Sequence, residues 1–420
     1  MTKIHWSNAV DGAFDTAADW DAGAVPGAKD RAFLGALGGS AYTVAASTDE
    51  IVRGLRISGN ATLAITGGVF VVRRDLGNGG VIALGGGGGE ARLEITGATT
   101  LSGGGQVVLA GDKSGFIGAT RRHHGALTNI DNTISGAGRM EGLGFRFDNQ
   151  AAGVVNATGA RNLVLKHVLC TNAGLLEGTG SGGLTLKATT TILNGAAGII
   201  LAGAGSRVHL RGVTISGGTL ESTGSGKFVV TGFTARKSGA RWDGLTATLY
   251  NQARVHIVKA FLGLSGAIDN SGAIVGKRGL GGLEIADRGA TLSGGGSVTL
   301  HRFNSITGDT SRSTLTNVNN RISGAGAIGA PIGAEGLILV NQQNGVIDAS
   351  ARQGLTINTG ANKVRNDGLI EATGRGVGDI VSGVINNGTL MAAGGTLTVE
   401  RAVTGTGSGA IDGGTLAFGS

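Results

Sequence analysis

The sequence has little cysteine, little proline and few charges, and each shortage excludes a class of protein. The lone cysteine, Cys170, excludes an intramolecular disulfide and a cysteine-based zinc cluster. Two prolines beside 83 glycines exclude collagen, which needs both residues in a strict repeat. Charged residues make up 15% of the chain, too few for a disordered polyelectrolyte. No apolar run reaches the length of about 18 residues that a membrane helix needs, so no membrane span is predicted.

Aromatic residues are also scarce, at 4%, although 40% of the chain is hydrophobic. A large globular core cannot be filled without bulky side chains, so this composition favours many thin layers of small aliphatic residues. Glycine supplies about a fifth of the chain and can turn such layers. The composition is therefore typical of a repeat solenoid.

A short phrase recurs along the chain: Asn, one to three residues, Gly, then an aliphatic residue. Asn149, Asn172 and Asn194 begin three successive copies, spaced by 23 and 22 residues. Because Asn and Gly both tolerate a left-handed backbone, we expect them to form the corner of each coil through that conformation.

Between the corners, apolar residues alternate with period two, as in Leu163-Val-Leu165 and Leu184-Thr-Leu186. Such strands are too short to stand alone, but stacked in parallel they bury one continuous core. The sequence therefore predicts an all-β fold, a right-handed parallel β-helix (β-solenoid) of about 18 coils with roughly 22 residues each.

The first residues differ from the rest, which predicts an N-terminal aromatic cap over residues 1–40. Trp6, Phe14 and Trp20 lie within this segment, and a solenoid end needs its apolar cross-section covered. An aromatic platform for sugars is the alternative reading of these residues. Residues 41–420 are predicted to form a continuous β-solenoid. It contains two related modules, about 90–230 and 280–420, because Leu127-Thr-Asn129 and its surroundings return at Leu315-Thr-Asn317.

Aligning the strand centres places basic residues in two columns over four successive coils. These candidate ligand-binding residues form a predicted polyanion stripe: Lys166, Lys187, Arg207, Arg211 and Lys227. Stacked like charges repel, so such columns need water, counterions or a polyanion. The open alternative is a set of solvated side chains at the coil edge. Acidic polysaccharide or another cell-surface polymer is the expected partner, whereas the absence of interleaved aromatics argues against single-stranded nucleic acid.

No catalytic residues, metal ligands or cofactors are predicted. The phrase Gly178-x-Gly180-x-x-Gly183 precedes a strand rather than a helix, so it lacks the geometry of a nucleotide site. Adjacent His123 and His124 would point to opposite faces of a strand and cannot share a metal. The basic segments Arg121–His124 and Arg236-Lys237 are interpreted as solvated loops, with anion binding as the alternative.

Several phrases resemble those of large exported repeat proteins of alphaproteobacteria, related in style to filamentous-haemagglutinin-like and autotransporter-passenger β-helices. The matching phrases include Val25-Pro-Gly27, Thr291-Leu-Ser-Gly-Gly-Gly296 and Ala402-Val-Thr-Gly-Thr-Gly407. The resemblance implies an adhesive role at the cell surface or outside the cell, with no catalytic residues to carry over. The net charge of +7 departs from the neutral or acidic character expected of such proteins.

The N-terminal sequence, MTKIHWSNAVDG, has no apolar segment, so we expect export without a classical signal peptide. Two functions remain open. One is a secreted or cell-surface adhesive β-solenoid, possessing a basic stripe for acidic polysaccharide. The other is a polysaccharide lyase or another glycan-active enzyme. Its base and neutralising charges would come from Lys166, Lys187, Arg207, His209 and Arg211.

Overall fold

The structure of the protein is a computed structural model that describes residues 2–36, 38–110, 115–119, 124–232, 239–329 and 336–419. The chain forms two compact units. Unit 1 contains residues 1–209 and 223–226, and unit 2 contains residues 210–222 and 227–420. Arg121, Arg122, His123, Arg236 and Lys237 lie outside the described residues. No helix among the described residues is long and apolar enough to cross a membrane.

The fold is a β-solenoid of about 16 parallel stacked coils, which confirms the predicted all-β parallel architecture with slightly fewer coils than expected. The first residues depart from the repeat, since they include a 3-10 turn, Ala17–Asp19, and an antiparallel bridge between Trp6 and Trp20. These segments lengthen the average coil. The two-module organisation and the boundary of the cap at residue 40 stay predictions.

The strands of unit 1 range from 2 to 17 residues and pair in parallel with strands one coil away. They are β1 Lys3–His5, β2 Gly12–Ala13, β3 Arg31–Leu34, β4 Tyr42–Ala46, β5 Glu50–Ile57, β6 Ala61–Ile65, β7 Gly68–Asn78, β8 Val81–Leu84, β9 Ala91–Ile95, β10 Ala98–Ser102, β11 Gln106–Ala110, β12 Gly115–Gly118, β13 Ala126–Asn129, β14 Thr133–Asn149, β15 Val154–Ala157, β16 Leu163–Asn172, β17 Leu175–Gly178, β18 Leu184–Asn194 and β19 Ile199–Ala202. The next strand, β20 Arg207–Ser216, begins in unit 1 and ends in unit 2.

The strands of unit 2 repeat this arrangement. They are β21 Gly218–Ser222, β22 Lys227–Val230, β23 Ala240–Asn251, β24 Arg254–Ile257, β25 Phe261–Asn270, β26 Ala273–Gly276, β27 Gly281–Ser293, β28 Ser297–Leu300, β29 Asn304–Gly308, β30 Thr314–Asn317, β31 Arg321–Gly324, β32 Gly326–Gly329, β33 Ile338–Asn341, β34 Val346–Ala349, β35 Leu355–Asn358, β36 Val364–Asn366, β37 Leu369–Thr373, β38 Val377–Ile380, β39 Val384–Asn386, β40 Thr389–Ala393, β41 Thr396–Val399, β42 Val403–Thr404, β43 Ser408–Asp412 and β44 Thr415–Phe418.

The recurring asparagines are buried, and their side chains form ladders from coil to coil. In unit 1, the Asn149 amide donates to Asn172 Oδ1 at 2.9 Å, and the Asn172 amide donates to Asn194 Oδ1 at 2.7 Å. Each amide also donates to a backbone carbonyl of its own corner, as Asn172 does to Gly174 at 3.1 Å. A buried amide without partners is costly, so each asparagine holds its corner in register with the next.

The same ladder occurs in unit 2, at the positions that the repeated phrase predicts to be equivalent. Asn317 donates to Asn341 Oδ1 at 2.9 Å, and Asn341 donates to Asn366 Oδ1 at 2.8 Å. Asn129 in unit 1 and Asn317 in unit 2 each accept from the backbone N–H three residues later. The repeat in sequence therefore corresponds to a repeat in hydrogen bonding.

The expectation that these asparagines adopt a left-handed backbone is wrong. Among the described residues, the non-glycine residues with positive φ are His167, Ala188 and Lys259. The glycine of the phrase is needed for close approach instead, because a Cβ at Gly174 would lie 2.3 Å from the Gln150 carbonyl oxygen. The corner is therefore made by buried hydrogen bonds and tight packing.

We expect Asn172→Ala to lower the free energy of unfolding by at least about 2 kcal/mol, since each buried polar group left unsatisfied costs about 1–3 kcal/mol. The matched control is Thr171→Ala, an exposed neighbour on the same strand, whose effect should stay within about 0.5 kcal/mol. Urea unfolding followed by circular dichroism measures both. Equal unfolding curves for the two variants would show that the ladder does not stabilise the coils.

The three aromatic residues of the predicted cap are buried together. Trp6 and Trp20 each expose 2% of their surface and Phe14 exposes none. The Phe14 ring packs edge-on against Trp20 at 5.0 Å and against Phe70 of β7 at 5.1 Å. This packing is consistent with a cap, which stays a prediction.

If these aromatics cover the apolar end of unit 1, Phe14→Ala should destabilise the unit by about 3–5 kcal/mol, the range for a fully buried aromatic side chain. The exposed Val10 lies in the same segment and provides the control Val10→Ala. Urea unfolding followed by tryptophan fluorescence distinguishes the two variants, because two of the three tryptophans, Trp6 and Trp20, lie in this cluster. A Phe14→Ala protein as stable as Val10→Ala would contradict the cap.

Candidate polyanion-binding face

The predicted stripe residues are divided between the two units, three in unit 1 and two in unit 2. In unit 1, Lys166 of β16 lies directly opposite Lys187 of β18 in the parallel register, as the alignment of strand centres predicted. Parallel neighbours are about 4.8 Å apart. Both lysines are partly buried, so their stems lie along the coil and their ammonium groups extend to its edge.

Arg207 is at the opposite edge of the strand from these two lysines. A Cβ at Gly183, which precedes β18, would lie 2.2 Å from the Arg207 carbonyl oxygen, so Arg207 stacks on the residue four positions before Lys187. Four residues of strand span about 13 Å at 3.3 Å each. The cations of unit 1 therefore lie on two edges rather than in one line.

Lys166 is not a free cation, because its Nζ lies 3.5 Å from Glu141 Oε2. Both residues line a cleft of about 300 Å³ that also contains Glu90, Arg92 and Arg139. Glu90 forms ion pairs with both arginines. Acidic and basic side chains are thus matched in this cleft, which weakens the attraction of this part of the stripe for a polyanion.

In unit 2, the stripe is extended by two cations that the aligned strand centres did not include. The register of Phe228 with Val255 places Lys227 beside Arg254, at the start of β24. At the far end of β24, the Lys277 N–H donates to the Ile257 carbonyl at 2.8 Å. We refer to Lys227, Arg254 and Lys277 as the basic array. None of the three has a carboxylate partner within 4.0 Å among the described residues.

Arg211, the other stripe residue in unit 2, is exposed and lies near the chain that follows β22. The backbone N–H of Thr231 donates to the Leu210 carbonyl at 3.0 Å, and a Cβ at Gly232 would lie 2.9 Å from Arg211 Cγ. The glycine leaves room for the arginine stem. Arg211 therefore lies beside the end of β22, whereas Lys227 is at its start. The two residues are on opposite edges, which agrees with the two predicted columns.

His256 lies on the outward side of β24 within the basic array. Burial, followed by the positive charges of Lys277, Lys227 and Arg254, lowers the pKa of His256 to about 4. In unit 1, burial and then the charge of Arg207 lower the pKa of His209 in the same direction. Both histidines are therefore uncharged at neutral pH. The positive charge around each of them comes from the neighbouring lysines and arginines alone.

A repeated phrase in the sequence could have revealed Arg254 and His256. Arg207-Val-His-Leu210 and Arg254-Val-His-Ile257 share the same alternation of outward polar and inward apolar residues. The second copy lies one coil beyond Lys227, and its alternation places an arginine and a histidine on the outward side of β24.

The comparisons with known proteins are sparse. No protein family matches the sequence, and no curated protein matches it. Among solved structures, the chain is similar to a TibC-catalysed hyper-glycosylated fragment of TibA, with 11% identity, a TM-score of 0.21 and coverage of 98% of this chain and 100% of the fragment. A TM-score of 0.21 is too low to carry over fold or function, so the proposals below are built on the residues of this chain.

The folded-state pKa of His256 lies below its usual value of about 6.5. Protonation therefore favours the unfolded chain, and the stability that neutral His256 contributes is present above pH 6.5 and is lost as the pH falls toward 4. We expect the histidine NMR titration of His256 to have its midpoint well below 6.5. Lys277→Ala should raise that midpoint, whereas removal of the distant exposed Lys363 should not. A midpoint near 6.5 would contradict the cationic surroundings assigned to His256.

Proposed function

We propose that this chain is an adhesive, structural β-solenoid of the cell surface or extracellular space that binds acidic polysaccharide on the basic array. The observation that carries the proposal is the set of three cations around an uncharged histidine, without carboxylate partners among the described residues. The stacked coils supply a stable surface on which such charges are held in fixed positions. The unit 1 stripe, Lys166, Lys187 and Arg207, is proposed as a weaker secondary contact.

The spacing of the cations favours an extended polymer over a small anion. Lys227 and Arg254 lie one strand apart at one edge of β24, and Lys277 lies at the other edge, about 13 Å away at 3.3 Å per residue. One small anion cannot contact both edges. A chain with repeated carboxylates or sulfates can meet them in series, although each exposed contact contributes only about 0–1 kcal/mol.

The surface between the cations favours polysaccharide over single-stranded nucleic acid. Val229 and Val275 pair with His256 on the neighbouring strands, and both are aliphatic. Single-stranded nucleic acid is usually held by bases that stack on aromatic side chains. The array offers no such stack, so its attraction for polyanions rests on charge and should fall steeply with salt.

A second candidate, a polysaccharide lyase, is favoured by one observation: His256 is neutral at pH 7 and has three cations around it. A lyase needs an uncharged base beside cations that neutralise a uronate. However, a histidine with a pKa of about 4 is a weak proton acceptor at neutral pH. The binding role therefore fits the site better.

The test compares three triple variants, each of which removes three positive charges. In Lys227→Ala/Arg254→Ala/Lys277→Ala, binding to heparin or alginate at low salt should weaken about tenfold, which corresponds to about 1.4 kcal/mol. Lys166→Ala/Lys187→Ala/Arg207→Ala should have a smaller effect, because Lys166 is already paired with Glu141. Lys363→Ala/Arg375→Ala/Arg401→Ala, which changes exposed residues elsewhere in unit 2, is the matched control.

Equal weakening in all three variants would show that net charge, rather than the array, governs binding. Binding that is insensitive to salt would contradict the electrostatic basis of the proposal. The same incubations report on the second candidate, because a lyase releases unsaturated sugar ends. Their appearance with wild type and loss in His256→Gln would replace the adhesive role with an enzymatic one.

A further inference from the structure

Unit 1 has a second cleft, of about 370 Å³, which shares no residue with the basic array or the stripe. Its lining includes Lys3, Arg31, Phe33, Arg56, Gly77 and Ser102. These residues come from strands β1, β3, β5, β7 and β10, so five coil segments contribute to one surface. We refer to it as the N-terminal cleft.

Two outward-facing glycines give the N-terminal cleft its shape. The register places Arg31 opposite Gly54 and Gly54 opposite Asp75. Because Gly54 has no side chain, Arg31 crosses it and forms an ion pair with Asp75. In the next outward row, Arg56 is opposite Gly77, where a Cβ would lie 3.1 Å from Arg56 Nε. The two arginine side chains therefore lie flat along the coils and leave the groove open.

The cleft carries more positive than negative charge. Arg31 is occupied by Asp75, the acidic residue of the lining. Arg56 is exposed and has no ion-pair or hydrogen-bond partner for its guanidinium among the described residues. Lys3 is also exposed. A free guanidinium presents parallel N–H donors that match a carboxylate in a bidentate arrangement.

An aromatic surface lies beside these cations. The rings of His5 and Phe33 stack with centroids 4.6 Å apart and an angle of 20° between their planes. Lys3 Nζ lies 6.0 Å from the Phe33 ring centre. Phe33 is opposite Arg56 in the register, so the ring and the free guanidinium are on adjacent strands. An apolar ring face with a few convergent polar groups is the usual composition of a small-molecule site.

We propose that the N-terminal cleft binds two adjacent uronic acid residues of a polysaccharide, sugar rings that each bear a carboxylate. One ring lies against Phe33 with its carboxylate on Arg56, and the next ring lies over Gly77, where its hydroxyls contact Thr100 and Ser102. Phe33 and Ser102 are three strand spacings apart, about 14 Å, which two linked rings can bridge and one cannot. This site goes beyond the proposed function, because none of its residues belongs to the basic array. Either site can therefore be lost without the other.

The test uses trigalacturonate as the probe, with binding measured by calorimetry and by the backbone amide shifts of Phe33 and Gly77. Arg56→Ala should weaken binding at least tenfold. Gly77→Val should weaken it to a similar degree although it changes no charge, because the added side chain fills the groove. The matched control is Arg161→Ala, an exposed arginine of the same unit outside the cleft, which should bind as wild type does.

Galactotriose, which lacks the carboxylates, should bind at least tenfold more weakly than trigalacturonate. No binding of trigalacturonate by wild type, or equal binding by Arg56→Ala and Arg161→Ala, would overturn the proposal. The proposal would also be overturned if Arg56→Ala still bound trigalacturonate and Lys227→Ala/Arg254→Ala/Lys277→Ala did not. That result would place the sugar on the basic array. Trigalacturonate binding kept in that triple variant supports the cleft even where the polymer no longer binds.

Discussion

The buried asparagine amides are the interaction on which the regularity of each unit depends. An amide has two donors and an acceptor, and at Asn149 and Asn172 the donors are met by the asparagine of the next coil and by corner carbonyls, while the acceptor is met by the preceding asparagine. Asn149, Asn172 and Asn194 are 0%, 0% and 2% exposed, so water cannot replace a lost partner. A slip of one residue would leave the donors of every affected corner unpaired. Aliphatic contacts alone have no such directional requirement.

The parallel register of the strands sets where the outward side chains lie, and between β16 and β18 it shifts by one residue between Lys166 and the Asn172 corner. Leu163 opposite Leu184 requires Lys166 opposite Lys187, and Phe228 opposite Val255 requires Lys227 beside Arg254. These like charges are therefore held about one strand spacing apart by the backbone register. They do not themselves stabilise the fold. The solenoid tolerates this repulsion at its edges because the side chains reach water.

The two units use the same architecture with different charge balance. In unit 1, the cleft that contains Lys166 pairs its cations with Glu90 and Glu141. In unit 2, the basic array has no such acids among the described residues, and burial together with the charges of the array lowers the pKa of His256, so that it is neutral at pH 7. The difference arises from single outward-facing residues, since the buried residues of both units are mostly aliphatic, with asparagines at the corners. A repeat fold can therefore change its partners without altering its core.

The fold class could be predicted without coordinates, because scarce aromatics, abundant glycine and period-two aliphatic residues are compatible with few structures other than stacked thin coils. So could the pairing of Lys166 with Lys187, since strand centres of equal length align in only one way. The role of Asn172 could not be predicted in this way, because the sequence does not reveal whether the amide of a corner residue faces water or a neighbouring amide. The contact between Lys166 and Glu141 could not be predicted either, because the two residues are 25 positions apart in the chain. The N-terminal cleft depends on Arg56 lying over Gly77, 21 positions later, and such contacts arise only when successive coils are stacked.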